Sequence, residues 1–441
     1  MPNAREVALK TLVACQRQGA WSDGYLKNAI RDGGLDRRDA ALATRLCFGV
    51  QQNKLLLDWY LARFSKSPLE KLELPVVWNL RLAVYQILMM DKVPDSAAVN
   101  EAVNLTRKYV KNPKAAGMVN GILRSFLRER DTLPEPSGAD WQESLSVKYS
   151  HPRWLVDAFS EQLDRDNVER LLAADNEQPP TMAQVNTLRA SVDDVRVSLD
   201  AQGVQAEAHP WLPNCLMLSG TGDLERLEAY QKGLFYVQDG AARLSVMAAA
   251  PRPGDRVLDC CAAPGGKSFA AAIEMKNEGI IRSCDIHPHK IKLIEAGRDR
   301  LGLDMIHAEV QNGSLRREEW VSAFDVVITD VPCSGLGIIR KKPDIRYKED
   351  APLRGLPDVQ FAIVDNCAGY VRPGGTLLYS TCTLLRRENE AVIERFHMAH
   401  PDFELSPFNL PGVGKSEGMI TLWPHIHGTD GFFIAKMKRK G

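Results

Sequence analysis

Apolar residues recur at helical spacing through the first third of the chain. Leu42, Leu46 and Val50 lie four residues apart, and Leu57, Leu61 and Phe64 continue an apolar face. That spacing stacks side chains on one side of a 3.6-residue helix. A further helix is predicted near Pro75–Met90, with Pro75 tolerated in its first turn. Another is predicted near Ala97–Val110, with Asp95 and Ser96 as its cap. Asn112 and Pro113 end it, and a last helix covers about Ala115–Arg128. Strand-like alternation is scarce, so residues 4–130 read as an all-α domain. The stretch DTLPEPSGAD (131–140), with two prolines and a glycine, reads as a linker.

Helical patterns continue to about Ala174, and NEQPPT (176–181) interrupts them. Short segments then alternate. Strands are predicted over Ala183–Leu188, Cys215–Leu218 and Leu234–Val237, and helices over Val192–Gln202 and Leu224–Gln231, which makes a small α/β module. From about residue 250 the rhythm becomes strand, turn, helix. Val257–Leu258, Gly279–Cys284, Phe324–Thr329 and Gly375–Ser380 are apolar strand segments. Such alternation predicts a doubly wound, mostly parallel sheet. The domains expected are 1–133, 140–235 and 236–441.

Composition changes this picture little. Hydrophobic residues are 44% and charged residues 25% of 441, as in average globular chains. No apolar run approaches the roughly 18–20 residues of a membrane helix. The N-terminus lacks an apolar signal core, so a cytoplasmic location and no membrane partner are expected. Nine cysteines, with no CxxC spacing, speak against a disulfide framework or a zinc site and for a reducing compartment.

The net charge is zero, but it is unevenly spread. Residues 1–135 carry 21 Lys and Arg against 14 Asp and Glu, and residues 136–235 carry 8 against 16. The end of the helical segment is strongly basic: Arg107, Lys108, Lys111, Lys114, Arg124, Arg128 and Arg130 are opposed only by Glu129. Such a cluster can neutralise phosphates without reading sequence. An ordinary solvated helix face is the alternative.

The first chemical constellation is VLDCCAAPGGKSFA (257–270). A strand ends in Asp259, and Cys261, Ala262, Ala263, Pro264, Gly265, Gly266 and Lys267 turn into a helix. Small residues let backbone approach a ligand, and a helix N-terminus offers free N–H groups. Asp285, 26 residues after Asp259, ends the next strand, where a carboxylate can accept both hydroxyls of a ribose. The turn is not GxGxxG, so a nucleoside cofactor such as S-adenosylmethionine fits better than a dinucleotide.

The second constellation is a pair of thiols. Cys333 in TDVPCSGLG (329–337) and Cys382 in YSTCT (379–383) each follow the carboxyl end of a strand, where open α/β sheets bind ligands. Asp330 adds an acid three residues before Cys333. Cys15, Cys47, Cys215 and Cys367 lack such context and read as packing residues. His287 with His289, and His425 with His427, lack further ligands, so no metal is expected. PGVGKS (411–416) falls short of P-loop spacing.

Together DCCAAPGGK, DVPCSGLG and STCT resemble the RNA (cytosine-5) methyltransferase family, and within it the bacterial branch acting on small-subunit ribosomal RNA. YSHPRW (149–154), PPTMAQVNTLR (179–189), YVQD (236–239), RKKPDIRY (340–347), ENE (388–390) and GFFIAKMKR (431–439) also resemble family stretches, so the likeness spans nearly the whole chain. It implies a NusB-like RNA-binding front domain, a ferredoxin-like α/β module and a Rossmann-like catalytic domain in a monomeric protein. It implies cofactor contacts from Cys261–Lys267, Asp285 at the ribose and Asp330 between cofactor and base. Cys382 would be the nucleophile, and Cys333 would assist product release.

The chemistry explains why both thiols are needed. Carbon 5 of cytosine is a poor nucleophile. A thiolate adding to carbon 6 makes carbon 5 enamine-like, which divides one hard step into two easier ones. An acid beside ring nitrogen 3 offsets the developing charge, and a base must finally remove the carbon 5 proton. Three departures from the family pattern stand out. Asn312 occupies the place of an acid near the adenine, Thr383 replaces a serine, and Cys260 adds a thiol with no evident role. Rival readings are a transfer-RNA methyltransferase with the same chemistry and an RNA-binding assembly factor without catalysis.

Overall fold

The apolar stripes of the first segment become the helices Arg37–Gln52, Lys54–Phe64, Leu74–Met89, Asp95–Tyr109 and Ala115–Glu129. The computed structural model describes residues 2–18 and 22–441, which divide into two units. The first unit comprises Met1–Asn176 and Ile339–Lys348. In it Leu46, Val50, Leu57 and Leu61 are fully buried and share one core with Leu80, Val84, Val119, Leu123 and Phe126. Helix Leu74–Met89 is buried nearly all round, so its polar residues need partners. Asn79 donates to the Ala102 carbonyl (2.6 Å) and to Thr106 Oγ1 (2.9 Å), and Arg81 pairs with Asp58 at 2.7 Å. The expected Asp95–Ser96 cap is displaced. Pro94 takes the cap position, and Asp95 is the first helical residue, where its charge suits the positive end of the helix.

The helices Trp141–Tyr149, Arg153–Ser160 and Arg165–Ala174 belong to this unit, whereas the sequence pattern groups them with the α/β module. Hydrogen bonds explain the difference: Leu56 N donates to Ser150 Oγ (3.0 Å), and Gln52 Nε2 donates to the Asn176 carbonyl (2.5 Å).

The chain also returns to this unit at Ile339–Lys348. Arg346 is fully buried there. Its Nη1 donates to the carbonyls of Gln52 (3.1 Å), Tyr149 (3.1 Å) and Ser150 (3.4 Å) and to Asn176 Oδ1 (2.9 Å), and its Nη2 donates to the Asp175 carbonyl (3.3 Å). One guanidinium thus serves the orphan carbonyls at three helix C-termini. Tyr347 OH donates to the Gln51 carbonyl at 2.8 Å.

The second unit, Glu177–Ile338 and Glu349–Gly441, holds two larger sheets. Strands β1 (Thr181–Val185), β2 (Gln205–Ala208), β3 (Cys215–Ser219) and β4 (Phe235–Val237) form an antiparallel sheet in the order β2-β3-β1-β4. Helix Val192–Asp200, with a Ser191–Asp194 capping box, supplies Val195 and Leu199 to its core. The expected helix Leu224–Gln231 is instead a 3-10 turn, Leu224–Arg226, and a single turn, Glu228–Gln231, separated at Leu227.

The larger sheet contains β5 (Arg256–Asp259), β6 (Ile280–Asp285), β7 (Ile306–Val310), β8 (Phe324–Asp330), β9 (Val371–Thr381) and β10 (Phe403–Leu405). A separate hairpin pairs β11 (Phe408–Leu410) with β12 (Gly414–Ser416), and β13 (Met419–Leu422) and β14 (Phe432–Arg439) complete the large sheet. Its order is β10-β14-β9-β8-β5-β6-β7, with β13 also on β14. The five strands from β9 to β7 are parallel, as expected, whereas β14, β10 and β13 add antiparallel pairs. The helix Glu390–Ala399 separates β9 from β10, and the short helix Pro424–His427 separates β13 from β14. Val257, Leu258, Ile281, Val327, Ile328, Leu377 and Leu378 are buried between the helix layers, as a parallel sheet requires.

Candidate active site

Parallel strands bring their carboxyl ends to one edge. Here that edge carries Asp259, Asp285 and Asp330, with Cys382 one residue beyond β9. Register places Asp259 opposite Ser283 and Asp330 opposite Ser380. Asp259 is fully buried. It accepts a hydrogen bond from Ser268 Oγ (2.7 Å), which itself accepts one from Ser283 Oγ (2.7 Å). Burial outweighs the serine and pushes the Asp259 carboxyl up to about 7.

The turn after β5 is tightly built. Ala262 N donates to the Cys284 carbonyl and Gly265 N to the Ala262 carbonyl, each at 2.7 Å, and the Ala263–Pro264 peptide is cis. Gly265 has φ 114°, and a Cβ there would lie 2.3 Å from the Phe269 ring. Only glycine fits. The helix that follows, Gly266–Glu274, packs through Ala270, Ala271 and Ala272.

A cleft of about 450 Å³ opens at this edge. Cys261, Ala263, Asp285, Asn312, Asp330, Cys333 and Cys382 all line it. Ala262, Pro264, Gly265, Gly266 and Lys267 are not among its lining residues. The Lys267 ammonium pairs with Asp330 Oδ2 at 2.5 Å, and Ser380 Oγ donates to Asp330 Oδ1 at 2.8 Å. The acid is therefore clamped on both oxygens. Asp285 accepts a hydrogen bond from His287 N (3.0 Å) and faces Lys290 Nζ at 3.6 Å. Asn312 Oδ1 accepts from Ser314 N (3.0 Å) and Ser314 Oγ (2.8 Å).

The two thiols meet. Cys333 Sγ lies 3.3 Å from Cys382 Sγ. The hydrogen bond to Cys382, together with burial, holds the Cys333 thiol well above its ordinary range. Either sulfur can be the donor in this contact. Cys260, which has no role in the sequence reading, lies 3.0 Å from Cys367 Sγ, and burial pushes the Cys260 and Cys261 thiols up as well. Such thiols are poor nucleophiles. Sequence reasoning also missed Lys290 and Gln311 in the lining. Neither belongs to a recognisable motif; Lys290 enters from the first turn of helix Pro288–Leu301 and Gln311 from just beyond β7.

A Rossmann-like sheet thus places a small-residue turn, Asp285 and paired thiols at one cleft, an arrangement that suits a methyltransferase. Comparison with known proteins narrows it. The model for 16S rRNA methyltransferase RsmB/F matches residues 246–438, the NusB family model matches residues 2–128, and the ferredoxin-like domain of RsmF/B-like methyltransferases matches residues 151–225. A probable ribosomal RNA small subunit methyltransferase B of Bacillus subtilis is 37% identical over 100% of this chain and 99% of its own length. Its Synechocystis counterpart is 33% identical over 100% of both. Among solved structures, that of PH0851 covers 98% of each chain with TM-score 0.81 and 26% identity. A methyltransferase homolog from Pyrococcus horikoshii covers 68% of this chain and 100% of its own, with TM-score 0.59 and 27% identity. The chain belongs to the ribosomal RNA small subunit methyltransferase B family.

Proposed function

We propose that this protein transfers a methyl group from S-adenosylmethionine to carbon 5 of a cytidine in small-subunit ribosomal RNA. The observation that carries this reading is the 3.3 Å approach of Cys333 and Cys382 at a cleft also lined by Asp285, Asn312 and Asp330. The cleft volume lies within the roughly 300–1,000 Å³ of small-molecule sites. The Asp285 carboxylate keeps acceptor capacity for ribose hydroxyls. Asn312 commits its Oδ1 to Ser314, so its amide N–H groups are the ones left for an adenine ring nitrogen. Bound there, S-adenosylmethionine supplies an electrophilic methyl group.

The chain's own residues do the rest. The Cys382 thiolate forms a bond to carbon 6 of an unstacked cytosine. Asp330, fixed by Lys267 and Ser380, lines the same cleft and would lie beside the ring nitrogen 3 of a bound cytosine. On release the carbon 5 proton passes to water as base, its bonding pair re-forms the carbon 5–carbon 6 double bond, and the carbon–sulfur pair returns to Cys382. Cys333, 3.3 Å from the departing sulfur, donates its S–H to it and offsets the charge that returns there. Arg107, Lys111, Lys114, Arg124 and Arg128 are exposed on the helical unit and suit a phosphate backbone.

The test uses two variants with unmodified small-subunit RNA and cofactor. Cys333→Ala accumulates a heat-stable RNA–protein adduct on a denaturing gel, and Cys382→Ala forms no adduct and no product. Full turnover by Cys382→Ala would end this reading.

A further inference from the structure

Two loops from different strands must hold two sulfurs 3.3 Å apart, and the ENE stretch explains how. Glu388 and Asn389 are consecutive and almost fully buried. Glu388 Oε2 accepts hydrogen bonds from Ser334 N (2.9 Å) and from Gln360 Nε2 (2.9 Å), and Gln360 Nε2 also donates to the Pro332 carbonyl (3.1 Å). Pro332 and Ser334 are the two neighbours of Cys333. Asn389 Oδ1 accepts from Thr381 Oγ1 (2.6 Å), and Asn389 Nδ2 donates to the Thr383 carbonyl (3.0 Å). Thr381 and Thr383 are the two neighbours of Cys382. Adjacent side chains thus bracket the two cysteines one each.

Further bonds tie the brackets together. Ser334 Oγ and Thr383 Oγ1 are 2.7 Å apart, and Gly337 N donates to the Cys382 carbonyl at 2.8 Å. Tyr379 OH donates to the Glu388 carbonyl at 2.5 Å, which anchors the bracket to β9. Gln360, Ser334, Thr381 and Thr383 are all fully buried. These side chains are out of water, so each lost partner leaves a costly orphan.

We infer that Glu388 and Asn389 are the positioning residues of the thiol pair: Asn389 sets the attacking sulfur of Cys382, and Glu388 sets the releasing sulfur of Cys333. This rests on the functional reading above. Neither residue touches the base. Each acts through the backbone on either side of one cysteine, and a displacement of about 1 Å at a reacting atom costs on the order of 100-fold in rate.

The division of labour gives opposite signatures from neighbouring substitutions. With full-length protein, unmodified small-subunit RNA and S-adenosylmethionine, adduct formation and adduct decay are followed separately on denaturing gels. Asn389→Ala slows adduct formation on the order of 10–100-fold and leaves decay close to wild type. Glu388→Ala forms the adduct but slows its decay by a similar factor, so adduct accumulates as in Cys333→Ala. Two isosteric variants guard against misfolding. Glu388→Gln keeps an oxygen for Ser334 N and Gln360, and restores decay at least about tenfold relative to Glu388→Ala. Asn389→Asp loses its donor to the Thr383 carbonyl, and matches Asn389→Ala. Thermal melts confirm folding. Equal slowing of both steps by both alanine variants would overturn the inference, as would Glu388→Gln decaying no faster than Glu388→Ala. Failure of the functional reading itself shows differently, as turnover without adduct in wild type and Cys382→Ala alike.

Discussion

Asp259 ends β5 fully buried, with one oxygen on Ser268 Oγ and Oδ1 without a partner. Its carboxyl rises from 3.8 to about 7, chiefly through burial. A raised folded-state pKa means that the folded protein holds a proton the unfolded chain has released. Stability is then fully present below the unfolded pKa and is lost as pH rises towards 7. A pKa difference of one between the two states is worth about 1.4 kcal/mol. The whole loss is therefore on the order of 4 kcal/mol, of which more than half falls between pH 5 and 8. Asp259→Asn removes this titration. Its carbonyl still accepts from Ser268, and its amide meets the unpartnered Oδ1 position, a cost that does not vary with pH. Urea unfolding of both proteins at several pH values from 5 to 8 isolates the effect, because every other titration cancels in the difference. The variant should gain about 2–3 kcal/mol on wild type across that range. Parallel stability profiles would refute the reasoning and show that Asp259 is ionised throughout.

Two further predictions concern different parts of the molecule. Asp285→Ala should weaken S-adenosylmethionine binding by roughly 1.5–3 kcal/mol, the worth of hydrogen bonds to a charged group, with little change in RNA affinity; calorimetry and filter binding measure the two, and equal losses would remove the ribose assignment. Arg346→Ala strips the donor shared by the carbonyls of Gln52, Tyr149, Ser150 and Asp175; a loss of about 3–5 kcal/mol in the helical unit is expected from urea unfolding, and an unchanged midpoint would mean that water serves these carbonyls equally well.

The parts legible in the sequence are those set by local periodicity. Leu42, Leu46 and Val50 announce helix Arg37–Gln52, and the strand ends carrying Asp259, Asp285 and Asp330 sit where the alternation of strand and helix puts them. What escaped depends on tertiary partners. Gln205–Ala208 (QAEA) alternates polar and apolar residues, but its apolar members are alanines, poor strand formers, and pairing with β3 makes it a strand. Phe432–Arg439 shows no sign in sequence that β9 and β13 will take it antiparallel. Lys267 reads as part of a cofactor turn, yet its long side chain reaches Asp330, 63 residues away. Cys260 and Cys367 look unrelated until the fold brings their sulfurs to 3.0 Å. Glu388 and Asn389 are visible as a motif, but which backbone they hold appears only once the two cysteine loops are adjacent.

The identity of the product tests cytosine methylation through Cys382 most directly. Wild-type protein is incubated with unmodified small-subunit RNA and methyl-labelled S-adenosylmethionine, the RNA is digested, and the labelled nucleoside is identified. The expected product is 5-methylcytidine, with no label when Cys382 is alanine. Label on any other nucleoside, or 5-methylcytidine formed at full rate without Cys382, would contradict that chemistry.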